Sequence, residues 1–330
     1  MKLGILDQIP VAEEQSATEA LAQTVEIAKQ AEQLGYHRFW LAEHHNSDRL
    51  ASSAPEIVMA HIAAATDKIR VGSGGIMVMH YSALKVAEVF NTLAALTSNR
   101  IDLGMGRAPG GDGATITAMA QGRYFQHNDQ YDKITDILKL MEGRQAALPE
   151  YQGVSVTPSK VELPEAWLLG STGNSAVKAG ELGIGYAFAQ FFNGEASKEI
   201  FDAYRYQFIP TVYMEKPLIS ISYAATVAET EDEAEYRARP IDLFRLGLMT
   251  GRLVPIISAE KAKDVKLTEK EEMFIQENRR IHLVGSPEQV ASKIEKEKEA
   301  FGFDELMINA NHAEMTSRMD TYRLLANALK

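Results

Sequence analysis

The sequence predicts a (β/α)8 barrel, and three observations carry that prediction. Eight short apolar runs of strand character recur along the chain, segments of helical periodicity separate them, and no Pro/Gly/Ser-rich linker divides the 330 residues,. One domain over residues 1–330 is therefore expected, with insertions in the loops at the carboxyl ends of the strands. A doubly wound open sheet is the alternative that the same alternation allows. Strands are expected near Lys2–Leu6, Arg38–Ala42, Ile69–Val78, Arg100–Leu103, Ala166–Leu169, Ile184–Ala189, Leu218–Ala225 and Glu305–Asn309.

The first strand, Leu3-Gly4-Ile5-Leu6, follows Met1-Lys2 directly, without the apolar core and small-residue cleavage site of a signal peptide,. A helix then carries Leu21, Val25, Ala28, Ala31 and Leu34 on one face and stops at Gly35,. The second strand, Phe39 to Ala42, ends abruptly in Glu43-His44-His45. The third holds Gly72, Gly74 and Gly75, which suit a bulge or the close approach of something flat,. The fourth opens into a glycine-rich connection over 104–130, and the fifth into Gly170-Ser171-Thr172-Gly173-Asn174-Ser175 before a helix. A second long connection, 249–285, is charged; both are candidates to roof the site, which lies at the carboxyl ends of barrel strands.

Composition removes several function classes. With no cysteine there are no disulfides, thiolate metal sites or cysteine nucleophiles,. The net charge of −11 gives no general attraction to nucleic acid or anionic lipid,. No apolar run reaches the roughly 18 residues of a membrane helix, so a cytoplasmic protein is expected.

Among candidate residues, Glu43-His44-His45 places imidazoles, which move protons near neutral pH, at a strand end. A metal site is the rival reading, but strand neighbours point to opposite faces and His61 and His80 show no ligand spacing,; no metal is expected. Gly104-Met105-Gly106-Arg107-Ala108-Pro109-Gly110-Gly111 fails as a dinucleotide motif at Pro109 and as a Walker loop at Asp112,. It leaves Arg107, whose planar fork suits a phosphate. Ser171, Thr172 and Ser175 at a helix amino terminus form either an anion cradle or ordinary caps.

In order along the chain, Lys2-Leu3-Gly4-Ile5-Leu6-Asp7, Phe39 to His45, Ile69 to Gly75, Ala87 to Leu93, Arg100 to Arg107, Gly170 to Gly173 and Val284-Gly285-Ser286-Pro287 resemble the bacterial luciferase-like flavin monooxygenases. The resemblance implies FMN bound at the carboxyl ends of a barrel, with His44 as the active-site histidine and Glu43 orienting or supporting it. It implies a non-proline cis peptide at Gly74-Gly75 beside the ring, and a phosphate held by Arg107, Ser171, Thr172, Gly173 and Asn174. Reduced FMN from a separate flavin reductase would react with O2 through a C4a-hydroperoxide to oxidise a small organic substrate, in a homodimer. Gly106 stands where luciferase α chains carry a cysteine, and light emission is not expected. Alternatives are a deazaflavin (F420)-dependent dehydrogenase on the same barrel, a non-catalytic flavin-binding relative and a metal-dependent hydrolase. The substrate pocket is expected from Asp7–Val11, Gly110–Gln130, Gln190–Asn193 and the 249–285 segment. There Met119, Tyr124, Phe125, Phe191 and Phe192 hint at an apolar or aromatic ligand.

Overall fold

Alternation along the strands decides which side chains fill the barrel. In the computed structural model, which describes residues 1–122, 129–252 and 254–329, strand β2 (Arg38–Leu41) is buried on both faces. Phe39 and Leu41 join the shell between strands and helices, while Trp40 turns into the lumen with Leu6, Trp167 and Met307,. Each such side chain removed from water contributes about 1.5–3 kcal/mol.

The other strands are β1 (Lys2–Asp7), β3 (Arg70–Ser73), β4 (Ile76–Met77), β5 (Ile101–Gly106), β6 (Glu165–Gly170), β7 (Gly185–Phe188), β8 (Ile219–Val227), β9 (His282–Gly285) and β10 (Glu305–Asn309). All pairings are parallel, and β10 pairs with both β1 and β8, which closes an eight-membered ring. The open-sheet alternative is thereby excluded. Helices of the expected kind connect the strands. Ala17–Leu34 starts at a Ser16/Glu19 capping box and stops at Gly35 in the left-handed region,. Among the described residues no helix is long and apolar enough to cross a membrane.

Three expectations need correction. The run Ile69–Val78 is two strands, β3 and β4, separated at Gly74-Gly75, whose peptide bond is cis. The missing side chains there need no planar ring to explain them. A Cβ on Gly72 would lie 2.6 Å from Trp40 and Asp102 atoms, and one on Gly75 would lie 2.8 Å from the Gly104 carbonyl. Ser73 replaces the lost ladder contact: its Oγ donates to Gly104 O at 2.7 Å and accepts from Gly104 N at 3.0 Å. Finally, the long connections are not plain loops. The first contains helix Gly113–Ala120; the second contains helices Ala259–Ala262 and Glu269–Asn278 and strand β9.

The segment from Glu231 to Gly285 covers the carboxyl ends of the ring. Strand β9 pairs with the last residues of β8, and Ile256 bridges to Ala12 beyond β1. Arg245 reaches Phe191 O beyond β7 at 3.0 Å, and Ala259 N reaches Glu314 beyond β10 at 3.3 Å.

Candidate active site

Five charged side chains plug the opposite, amino-terminal end of the barrel. Arg38 donates to Asp102 at 2.6 Å, to Glu305 at 2.7 and 3.0 Å and to Glu165 at 3.2 Å, and Arg70 donates to Asp102 at 2.8 Å. That end is sealed, so chemistry belongs at the mouth.

At the mouth, past the end of β2 at Leu41, His44 and His45 take separate partners. The His44 main-chain N–H donates to Ser52 O at 3.1 Å, and its ring bridges Ser52 Oγ (Nδ1, 3.3 Å) and Gln8 Nε2 (Nε2, 3.4 Å). Gln8 Oε1 accepts from Asn309 Nδ2 at 3.2 Å and from Asn311. Gln8 therefore offers His44 its N–H, which fixes the ring proton on Nδ1 and leaves Nε2 as an acceptor. Burial, with His45 alongside, pushes the His44 imidazole down to about 4, so it is neutral at pH 7,.

Glu43 does not support His44. Its buried carboxylate accepts from Met77 N, Tyr81 Oη and His45 Nε2, each at 2.8 Å. These bonds hold the segment after the Gly74-Gly75 bond against the end of β2. His80 also departs from the sequence reading: its ring meets that of His45 edge to face with centroids 5.6 Å apart, and its Nε2 donates to Pro109 O at 2.7 Å. Among the described residues no group of three or more His, Cys, Asp or Glu is placed to hold a metal ion.

The candidate anion-binding residues lie past β5, on helix Asp129–Met141 and at the start of helix Gly173–Leu182. Arg107, just past β5, stacks its guanidinium 4.1 Å from the centroid of Tyr131,. Lys178, on helix Gly173–Leu182, lies 5.9 Å from the same ring. Tyr186 Oη on β7 donates to Thr172 O at 3.0 Å and meets Ser175 Oγ at 3.1 Å. Ser175 Oγ donates to Thr172 O at 2.8 Å and accepts from Thr172 N at 3.4 Å, so Ser175 serves the cap rather than a ligand. Ser171 and Gly173 are half-buried, Thr172 and Asn174 are exposed, and nothing lies within 4 Å of where a Gly173 Cβ would stand.

A phosphate monoester fits this arrangement. Arg107 Nε and Tyr131 Oη are buried and have no partner among the described residues; each such group costs about 1–3 kcal/mol unless something bonds it. A helix amino terminus and the Lys178 ammonium near Tyr131 supply the rest of an anion site,. Sequence reasoning missed Ser52, Tyr131 and Lys178, because none belongs to a motif and only the ring of strands brings them in; it placed Gln8 within the pocket range Asp7–Val11 without its link to His44. Tyr124 and Phe125 lie outside the described residues.

The model of the luciferase-like monooxygenase family matches residues 1–305. The chain belongs to the luciferase-like monooxygenase family. Its luciferase-like relatives include the N-acetyl-S-alkylcysteine monooxygenase of Bacillus subtilis, 35% identical over 100% of this chain and 98% of that one. Among solved structures, apo-MsnO8 superposes with a TM-score of 0.90 at 34% identity, covering 99% of this chain and 98% of that one. Fold alone is shared with the oxygenating constituent of Pseudomonas putida 3,6-diketocamphane monooxygenase in complex with FMN, at a TM-score of 0.72 and 20% identity over 100% of this chain and 98% of that one. The same holds for an F420-dependent secondary alcohol dehydrogenase, at 0.68 and 15% over 100% and 99%.

Proposed function

We propose that this luciferase-like protein is an FMN-dependent monooxygenase, a cytoplasmic homodimer that receives reduced FMN from a separate flavin reductase. The observation that carries the proposal is the pair of unpartnered buried groups, Arg107 Nε and Tyr131 Oη, beside the amino terminus of helix Gly173–Leu182. A single phosphate needs that much cationic surface; the longer acidic tail of a deazaflavin needs more.

Reduced FMN supplies the electrons that activate O2. Arg107, Tyr131 and the amides of Gly173 and Asn174 would hold the phosphate, with Ser171 and Thr172 at its edge. The Gly74-Gly75 segment, held through Met77 by Glu43, would lie against the ring. His44 would accept or share a proton at Nε2, with Ser52 and Gln8 fixing its tautomer,. The Glu231–Gly285 segment would limit water at the mouth.

The thioether substrate in the name of the Bacillus relative makes sulfur the first acceptor to try. Protein, reduced FMN, isotopically labelled O2 and N-acetyl-S-methylcysteine are combined with a panel of aldehydes and ketones, and products are weighed. One labelled oxygen atom in a product is expected. Absence of saturable FMN binding contradicts the proposal, and hydride transfer from reduced deazaflavin without oxygen uptake replaces it with the dehydrogenase.

A further inference from the structure

Arg245 sits on helix Glu231–Thr250, the element that crosses the carboxyl ends of the ring. Its Nη2 donates to Phe191 O at 3.0 Å, and this is the one bond its five N–H groups make among the described residues,. The Phe191 ring packs against the lumen cluster of Leu6, Trp40, Ala42 and Met307, so the guanidinium stands at the rim of the same mouth that His44 borders. The carboxylate one turn back, Asp242, is already taken: Oδ2 accepts from Arg279 at 2.7 Å and Oδ1 lies 3.5 Å from His282 Nδ1. No acid among the described residues pairs with Arg245. Burial pushes this arginine down to about 10, against the partial support of Asp242 one turn back,.

A half-buried guanidinium with unused donors, in an apolar rim, is suited to a planar anion. We propose that Arg245 is a substrate-binding residue that takes a carboxylate, so the substrate class is a small organic acid whose apolar portion reaches into the lumen. The inference deepens the monooxygenase reading and rests on it for the place of the mouth. It also adds the anionic end that the phenylalanines alone did not suggest.

The test compares acids with their methyl esters by calorimetry, on protein with and without FMN. The pairs are N-acetyl-S-methylcysteine, phenylacetate and hexanoate, each against its methyl ester. At least one acid should bind roughly tenfold or more tightly than its ester, and Arg245→Gln should erase that preference while FMN affinity stays unchanged. No acid preference in any pair overturns the proposal, as does a preference that survives Arg245→Gln. If the glutamine variant does not fold, Arg245→Lys decides: a weakened preference is expected, and one identical to wild type overturns the assignment. Loss of FMN binding is read separately and strikes the monooxygenase reading instead.

Discussion

The two ends of the barrel treat charge in opposite ways. At the amino-terminal floor, Arg38 and Arg70 share Asp102, Glu165 and Glu305, each in an ion pair. The indole N–H of Trp40 donates a further bond to Asp102 at 2.8 Å. At the mouth, Arg107 Nε, Tyr131 Oη and both amide atoms of Gln130 are buried without partners, and Arg245 has no counter-ion among the described residues. The floor satisfies its five charges within the fold, whereas the proposal gives these open groups at the rim a ligand to bond.

The contrast is broken most severely at the floor. Arg38→Met should leave Glu305 without its buried partner and Asp102 with Arg70 and Trp40 only, and cost about 3–5 kcal/mol,, read as a collapse of the denaturation midpoint; a midpoint close to wild type would mean the plug is not structural. The mouth should answer differently. His44→Ala should lower product formation roughly 10²–10⁴-fold while FMN affinity holds within about threefold, and unchanged turnover removes His44 from the chemistry. Arg107→Ala should weaken FMN roughly ten- to a hundredfold with stability within about 1 kcal/mol. A large stability loss would instead make Arg107 a structural residue like Arg38.

A further handle is pH. Burial holds His44, His37 and His282 down to about 4 and His312 to about 3. Their folded values lie below the ordinary value, so the stability they contribute is complete above about pH 6.5 and drains away as pH falls through about 4. The urea midpoint should decline over that window. A midpoint that is flat from pH 7 to 4 contradicts the assignment of neutral buried histidines.

The ring of strands was legible because strand alternation is local, and every ring strand follows from runs such as Phe39 to Ala42; the charged plug was not, since Arg38, Arg70, Asp102, Glu165 and Glu305 come from five different strands. The mouth was legible only in part. Glu43-His44-His45 stood out as chemistry, but Glu43 was given to the wrong partner, since its real partners Tyr81 and Met77 N lie across the Gly74-Gly75 turn. Strand β9 is four residues long and is defined by its pairing with the end of β8, which no local pattern shows. Helix Glu269–Asn278 buries only Ile275, so its sequence reads as a solvated charged stretch. Tyr131 and Arg245 matter because of what they lack, and a missing partner is a property of the folded chain.

The proposed role of Arg107 and Tyr131 is to hold a phosphate. It is tested most directly by titrating the protein with oxidised FMN and with riboflavin, which differ only in that group. FMN is expected to bind at least roughly tenfold more tightly, with the advantage lost in Arg107→Ala. Equal affinity for the two, or an FMN advantage untouched by that substitution, would contradict the account.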